Sequence, residues 1–190
     1  DSGFNGILIK LGRNFNNIKF KKNILSVGAG VLDINLSRFA VRNSIKDFEF
    51  FAGIPGTIGG AVKMNAGCYG SQTADNLVRV LILNKFGKIK YIDFKDLNLR
   101  YRYSSVDDKT IILKAEFSYE FASKEQINHK RDQIKLKRQS SQPIKEKTSG
   151  STFKNPPGEF AAELIDKAGC KGMKIGGASI SKLHSNFIIN

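Results

Sequence analysis

The chain has 190 residues and a formal charge of +14, from 31 Lys and Arg against 17 Asp and Glu. Its 41% hydrophobic and 25% charged residues are ordinary for a globular protein of one or two domains, and no apolar run approaches the roughly 18 residues of a membrane-spanning helix. Two cysteines, Cys68 and Cys170, and two histidines, His129 and His184, match no metal-ligand spacing, so no metal site and no disulfide scaffold are expected.

In chain order, residues 6–10 and 24–28 read as strands joined by Asn-rich turns. From 31 to 43, Leu32, Leu36, Phe39 and Ala40 recur at helical spacing. Residues 78–83 and 88–92 flank an Asn-Lys-Phe-Gly turn and read as a hairpin. Residues 111–119 alternate with period two, as in a half-buried strand. Residues 124–138 read as a polar surface helix with Ile127 and Ile134 inward, ended by Ser140-Ser141-Gln142-Pro143. A second glycine- and proline-marked loop, residues 150–157, precedes a helix over 160–168 that Gly169 stops. Residues 176–178 read as a loop and 186–190 as a final strand. The mixture is α+β, with antiparallel or mixed strands.

The most unusual stretch is residues 51–70, FAGIPGTIGGAVKMNAGCYG, with glycines at 53, 56, 59, 60, 67 and 70 and Pro55 among them. Gly and Pro are the poorest helix formers, so a regular helix is not expected here. The segment is too apolar for a linker. Two readings stay open. It is a tightly packed corner, or a loop whose free backbone N–H groups converge on an anion such as a diphosphate. It is not a P-loop, and Gly28-Ala29-Gly30 departs from G-x-G-x-x-G because Asp33 takes the last glycine's place.

The positive charge suits polyanionic ligands. Nucleic acid is not expected, because the lysines are spread from Lys10 to Lys182 and seldom interleave with aromatics. No basic n-region followed by an apolar core opens the chain, so a cytoplasmic protein is expected. Taken alone, Arg102 in Tyr-Arg-Tyr-Ser reads as a structural or functional arginine, and Ser151 as a turn residue.

Several segments together resemble the UDP-N-acetylenolpyruvoylglucosamine reductase family. GIPGTIGGAVKMNAGCYG is similar to that family's central flavin loop, and YRYS to its Y-R-x-S motif. SGSTFKNPPGEFAAELIDKAGCKGMKIGGASISKLHSNFIIN is similar to its C-terminal signature, and Gly3-Phe4-x-Gly6 to the end of its first flavin segment. The resemblance covers the whole chain in order.

The resemblance implies an FAD-binding domain of the vanillyl-alcohol-oxidase (PCMH) type over 1–122, then a smaller α+β substrate-binding domain over 123–190. It implies FAD as cofactor, NADPH as hydride donor and a UDP-sugar as substrate, in a monomer acting on no membrane or nucleic acid. It assigns cofactor contacts to Gly53, Ile54, Pro55, Gly56, Thr57, Gly59, Gly60, Ala61, Asn65 and Gly67. It assigns catalysis to Arg102 and Ser151, and substrate contacts to Tyr101, Lys154 and Asn155. With no tyrosine-bearing loop between Tyr101 and Glu120, the chain resembles the family's loop-lacking second type. The family's G-x-G-S-N segment would precede Asp1 and its catalytic glutamate would follow Asn190, so a chain shortened at both ends is expected. Ser179 stands where many members have Gln. Two other readings remain: a different flavoprotein of the same fold, and a non-catalytic basic binding protein.

Overall fold

The computed structural model describes residues 3–190 and, at Lys22, the backbone alone. Two compact units divide within one long helix, Asp1–Ile134 and Lys135–Asn190. No helix among the described residues is long and apolar enough to cross a membrane.

The first unit is built on a five-stranded antiparallel sheet of order β1-β2-β7-β5-β6. Its strands are β1 (Ile18–Lys21), β2 (Ile24–Gly28), β5 (Leu77–Leu83), β6 (Ile89–Asp93) and β7 (Ile111–Ser118). The β5–β6 hairpin forms where its turn residues indicate. The Asn84 side-chain oxygen accepts from the amides of Phe86 and Lys88, and Gly87 takes φ 74°. Period two in β7 turns Ala115 and Phe117 inward, but a register shift opposite Leu81 and Ile82 breaks the alternation and buries Ile112 in place of the expected Ile111 and Leu113. Phe48 and Phe51 meet Phe117 edge-on, with ring centroids 5.7 and 6.3 Å away, and all three rings are buried. These aromatics, with Leu25, Val27, Val80 and Leu36, form the core under the glycine-rich segment.

Helix α1 (Asp33–Arg42) forms where the spacing places it, but its buried face is rotated. Asp33, Leu36, Ser37 and Ala40 are buried, while Leu32 is 48% exposed. A β-bridge between Leu32 and Thr57, with the Asp33 amide donating to the Gly56 carbonyl at 3.1 Å, turns Asp33 inward.

Three expectations are corrected. Residues 6–10 are not a strand. Ile7, Leu8 and Ile9 are 88, 86 and 65% exposed and lie in no ladder. The strand that pairs with β2 is instead Ile18–Lys21, whose alternating Ile-Lys-Phe-Lys follows the Asn-rich turn. Second, the glycine segment contains a helix, α2 (Ile58–Lys63), that runs through Gly59 and Gly60. Third, the amides at its start are not free. Ile58 donates to the Val31 carbonyl and Gly59 to the Ala29 carbonyl, each at 2.9 Å. Tertiary packing outweighs propensity here. A Cβ on Gly59 would lie 3.1 Å from the Ala29 Cβ and 3.2 Å from its carbonyl oxygen, so glycine lets α2 approach the end of β2 without displacing Ala29.

Helix α2 ends in a Schellman motif. The Ala66 amide donates to the Ala61 carbonyl at 2.8 Å, the Asn65 amide to Val62 at 3.2 Å, and Asn65 is left-handed at φ 40°. A small hairpin, β3 (Gly67–Cys68) with β4 (Ser71–Gln72), turns at Tyr69 and Gly70. Their φ values of 55° and 82° are those of a type I′ turn. Helix α3 (Lys124–Ser141) spans the division between the units, with Ile127 and Ile134 buried as its spacing indicates.

The second unit holds α4 (Ala161–Lys167) and a three-stranded antiparallel sheet of order β10-β9-β8: β8 (Lys174–Ile175), β9 (Ala178–Ile180), β10 (Ile188–Ile189). Gly169, at φ 71°, stops α4 where expected. The 176–178 loop is the tight turn of a short hairpin, β8–β9.

Neighbouring glycines in α2 should respond oppositely to alanine. Gly59→Ala overpacks the Ala29 contact and is expected to cost about 1–3 kcal/mol. Gly60→Ala, whose Cβ would meet nothing closer than the Thr57 hydroxyl at 3.9 Å, should be neutral or stabilising by up to about 1 kcal/mol. Urea unfolding of both variants checks this; equal losses would contradict the packing account.

Candidate functional site

A groove of about 360 Å3 runs beside α2, lined by Thr57, Gly59, Gly60 and Lys63 together with Asp107, Asp108 and Thr110. Gly60 faces open space, as its Cβ position shows, and Thr57 presents a hydroxyl beside it. Lys63 pairs with Asp108 at 2.6 Å and also donates to the Val106 carbonyl, fixing the rim. Of the expected cofactor residues, Thr57, Gly59 and Gly60 meet in this groove. Pro55 and Gly56 are exposed on the loop leading into it, while Ala61 and Asn65 are buried. Gly53 packs behind the loop, where a Cβ would lie 3.1 Å from the Cys68 sulfur. The backbone of Ile54 caps the preceding 3-10 turn by donating to Phe51.

Arg102 projects from a two-residue turn. Arg100 and Tyr103 exchange backbone hydrogen bonds of 3.1 and 3.0 Å, with Tyr101 and Arg102 between them. Arg102 is left-handed at φ 53°, a conformation that costs a non-glycine residue about 1 kcal/mol or more. Its guanidinium lies 5.1 Å from the Tyr101 ring centroid and donates to the Gly67 carbonyl at 2.9 Å. The structure therefore joins the Tyr-Arg-Tyr-Ser turn to the glycine segment through Gly67. Gly67 must be glycine, since a Cβ there would strike the Ser71 backbone and Gln72.

In the second unit, Ser151 and Lys154 lie on an exposed loop, with Asn155 half-buried. Ser151 bridges to Phe187. Asn186, only 4% exposed, clamps this loop. Its amide nitrogen donates to the Phe153 carbonyl at 2.8 Å, its oxygen accepts from the Phe153 amide at 2.9 Å, and its backbone carbonyl accepts from Thr152 at 2.8 Å. Asn155 accepts from the Ala161 amide at 3.0 Å, capping the first turn of α4. Burial holds the His184 imidazole below its ordinary pKa, and its Nδ1 accepts from the Asn186 amide at 3.3 Å. Sequence reasoning missed Asn186; its only signal is a polar residue heading the apolar run 187–189.

Sequence reasoning also missed Asp33. Its carboxyl is fully buried, has no hydrogen-bond partner among the described residues, and lies 3.0 Å from where a Gly56 Cβ would stand. Burial alone pushes it up to about 7.

The FAD binding domain family matches residues 1–93, and the C-terminal domain family of UDP-N-acetylenolpyruvoylglucosamine reductase matches residues 142–190. Over all 190 residues the chain is 49% identical to UDP-N-acetylenolpyruvoylglucosamine reductase of Rickettsia typhi and 50% identical to that of Rickettsia prowazekii. It spans 64% of the length of these curated relatives. The crystal structure of the reductase from Thermus caldophilus superposes with a TM-score of 0.87 at 36% identity, covering 95% of this chain and 66% of that one. The first unit is thus an FAD-binding domain of the PCMH type, in an α+β protein.

Asp33 makes stability pH-dependent. Its carboxyl ionises near 3.8 unfolded and about 7 folded. Between those values the unfolded chain binds fewer protons, so stability falls as pH rises and levels off above 7. The full descent is up to about 4 kcal/mol. Asp33→Asn should lack this component in urea unfolding at pH 5 to 8; parallel curves for the two proteins would contradict it.

Proposed function

Because the chain belongs to the UDP-N-acetylenolpyruvoylglucosamine reductase family, we propose that its protein reduces UDP-N-acetylglucosamine enolpyruvate to UDP-N-acetylmuramate, an oxidoreductase step in making the peptidoglycan precursor. The observation that carries this reading is the arginine turn anchored to the flavin loop, Arg102 on Gly67 at 2.9 Å.

The α2 groove fits a flavin. Gly60 leaves space that a Cβ would fill, and the Thr57 hydroxyl lies beside it. In this reading Thr57 and Gly60 hold FAD directly, with Pro55 and Gly56 on the approach loop. Gly53, Ile54, Gly59, Ala61 and Gly67 shape the cradle from behind. The chemistry FAD supplies when bound is transfer of hydride from NADPH to the enolpyruvyl double bond of the UDP-sugar. Residues 1–122 carry this part, and residues 123–190 the sugar nucleotide. NADPH and a UDP-sugar are cytoplasmic metabolites, and the reading places a monomeric protein there.

Arg102 then has a defined task. Hydride added to the methylene carbon leaves negative charge on the neighbouring carbon and its carboxylate. A guanidinium that never deprotonates receives that charge with two parallel donors. Stacking on Tyr101 and the bond to Gly67 limit its rotation before substrate arrives. The Ser151 hydroxyl gives its proton to the carbon bearing the carboxylate, completing reduction of the double bond, and is reprotonated from water. Lys154 and Asn155 of the same loop contact the substrate, and Asn186 keeps that loop in one shape.

Arg102→Ala should slow reoxidation of reduced flavin by the UDP-substrate about 100-fold or more while FAD stays bound. Ser151→Ala should slow the same step about 100-fold. Stopped-flow absorbance separates this step from flavin reduction. Normal reoxidation in Arg102→Ala would remove Arg102 from the mechanism.

A further inference from the structure

We propose that Asn65 is the positioning residue of Arg102, linking the flavin loop to the arginine turn; the inference rests on the function proposed above. Three observations place it there. Asn65 is 2% exposed, so its side chain works inside the protein. Its amide nitrogen donates to the Arg100 carbonyl at 3.2 Å and to the Gln72 side chain at 2.9 Å. Its oxygen accepts from the Ala74 amide at 2.9 Å. One side chain therefore ties the end of α2, the β4 strand and the turn that carries Arg102.

Asparagine meets all these demands together. It tolerates the left-handed φ of 40° that closes α2. It offers two donors and an acceptor in one plane. Aspartate keeps the shape but sets a carboxylate oxygen against the Arg100 carbonyl. Glycine keeps the backbone conformation and removes every side-chain contact. Ser104 adds a second tie, its buried hydroxyl donating to the Lys63 carbonyl at 2.7 Å. The Arg100–Tyr103 turn is thus fixed to the last turn of α2 from both arms. Since Arg102 itself is left-handed, the turn needs such external ties to persist.

The test uses Asn65→Gly, Asn65→Asp and Ser104→Ala in the flavin-loaded protein. Stopped-flow absorbance reads flavin reduction by NADPH and reoxidation by UDP-N-acetylglucosamine enolpyruvate. Positioning predicts that reoxidation falls at least about tenfold more than reduction does, because a misplaced guanidinium is felt only when charge develops on the substrate. A purely structural role lowers both steps and flavin retention together. A double-mutant cycle sharpens this, since Asn65→Gly should add almost nothing in an Arg102→Ala background. Reaction-free evidence comes from the Arg102 Nε–H signal in 15N NMR, which should broaden or shift in Asn65→Gly and in Ser104→Ala. Equal losses in both steps, full additivity, or an unchanged Arg102 signal in both variants would overturn the proposal. A parent protein whose reduced flavin ignores the UDP-substrate overturns the proposed reaction instead, and the Arg102 signal then decides the positioning claim by itself.

Discussion

The contact on which the first unit depends is the approach of Gly59 to Ala29. Helix α2 lies so close to the end of β2 that a Cβ at Gly59 would press on Ala29 at 3.1 Å. That closeness lets the Ile58 and Gly59 amides bond to the Val31 and Ala29 carbonyls. The start of α2 is thereby fixed to the sheet by backbone alone. Two glycines in a six-residue helix are costly by propensity, roughly 2 kcal/mol relative to alanine. Hydrogen bonds and burial of Ile58, Ala61 and Val62 offset that cost. The glycine-rich segment is therefore both of the things its composition allows. Gly59 and Gly67 serve close packing, while Gly60 keeps a groove open.

The same region concentrates unusual backbone. Asn65, Tyr69 and Arg102 take φ values of 40°, 55° and 53° within one neighbourhood of the chain fold. Each is strained relative to glycine, and each is stabilised by specific bonds. Asn65 closes the Schellman motif, Tyr69 sits in a type I′ turn, and Arg102 is anchored on Gly67. Backbone strain of this kind serves function where a side chain must stand in one place. Buried Asp33, below the loop at Gly56, adds a second cost that depends on pH. The second unit uses a related device without strain, since Asn186 hydrogen-bonds both backbone groups of Phe153 as a neighbouring strand would.

Much of the architecture was legible in the sequence because the cues were local. The hairpin around Asn84 and Gly87 was readable from its turn, α4 from its spacing and its glycine stop, and the second half of β7 from its alternation, though not the irregularity that buries Ile112. What escaped was set by contacts distant in sequence. Residues 6–10 have strand composition but no ladder, so composition misled. Ile18–Lys21 is half lysine, and its pairing with β2 defines it. Helix α2 exists because of Ala29, about thirty residues earlier. The inward turn of Asp33 comes from the Leu32–Thr57 bridge, which no helical periodicity encodes. In the site, the resemblance supplied Arg102 and Ser151 by motif. The supporting roles of Asn65, Ser104 and Asn186 required geometry, because their side-chain partners lie 7 to 41 residues away in sequence.

Substrate-dependent NADPH oxidation tests the central claim most directly. The FAD-loaded protein would be assayed with and without UDP-N-acetylglucosamine enolpyruvate, following absorbance at the nicotinamide band. The account predicts slow oxidation without the UDP-sugar and a rate at least about tenfold higher with it, abolished in Arg102→Ala. An NADPH oxidation rate indifferent to the UDP-sugar, in a protein that retains FAD, would contradict the assignment and leave a flavoprotein of the same fold acting on another substrate.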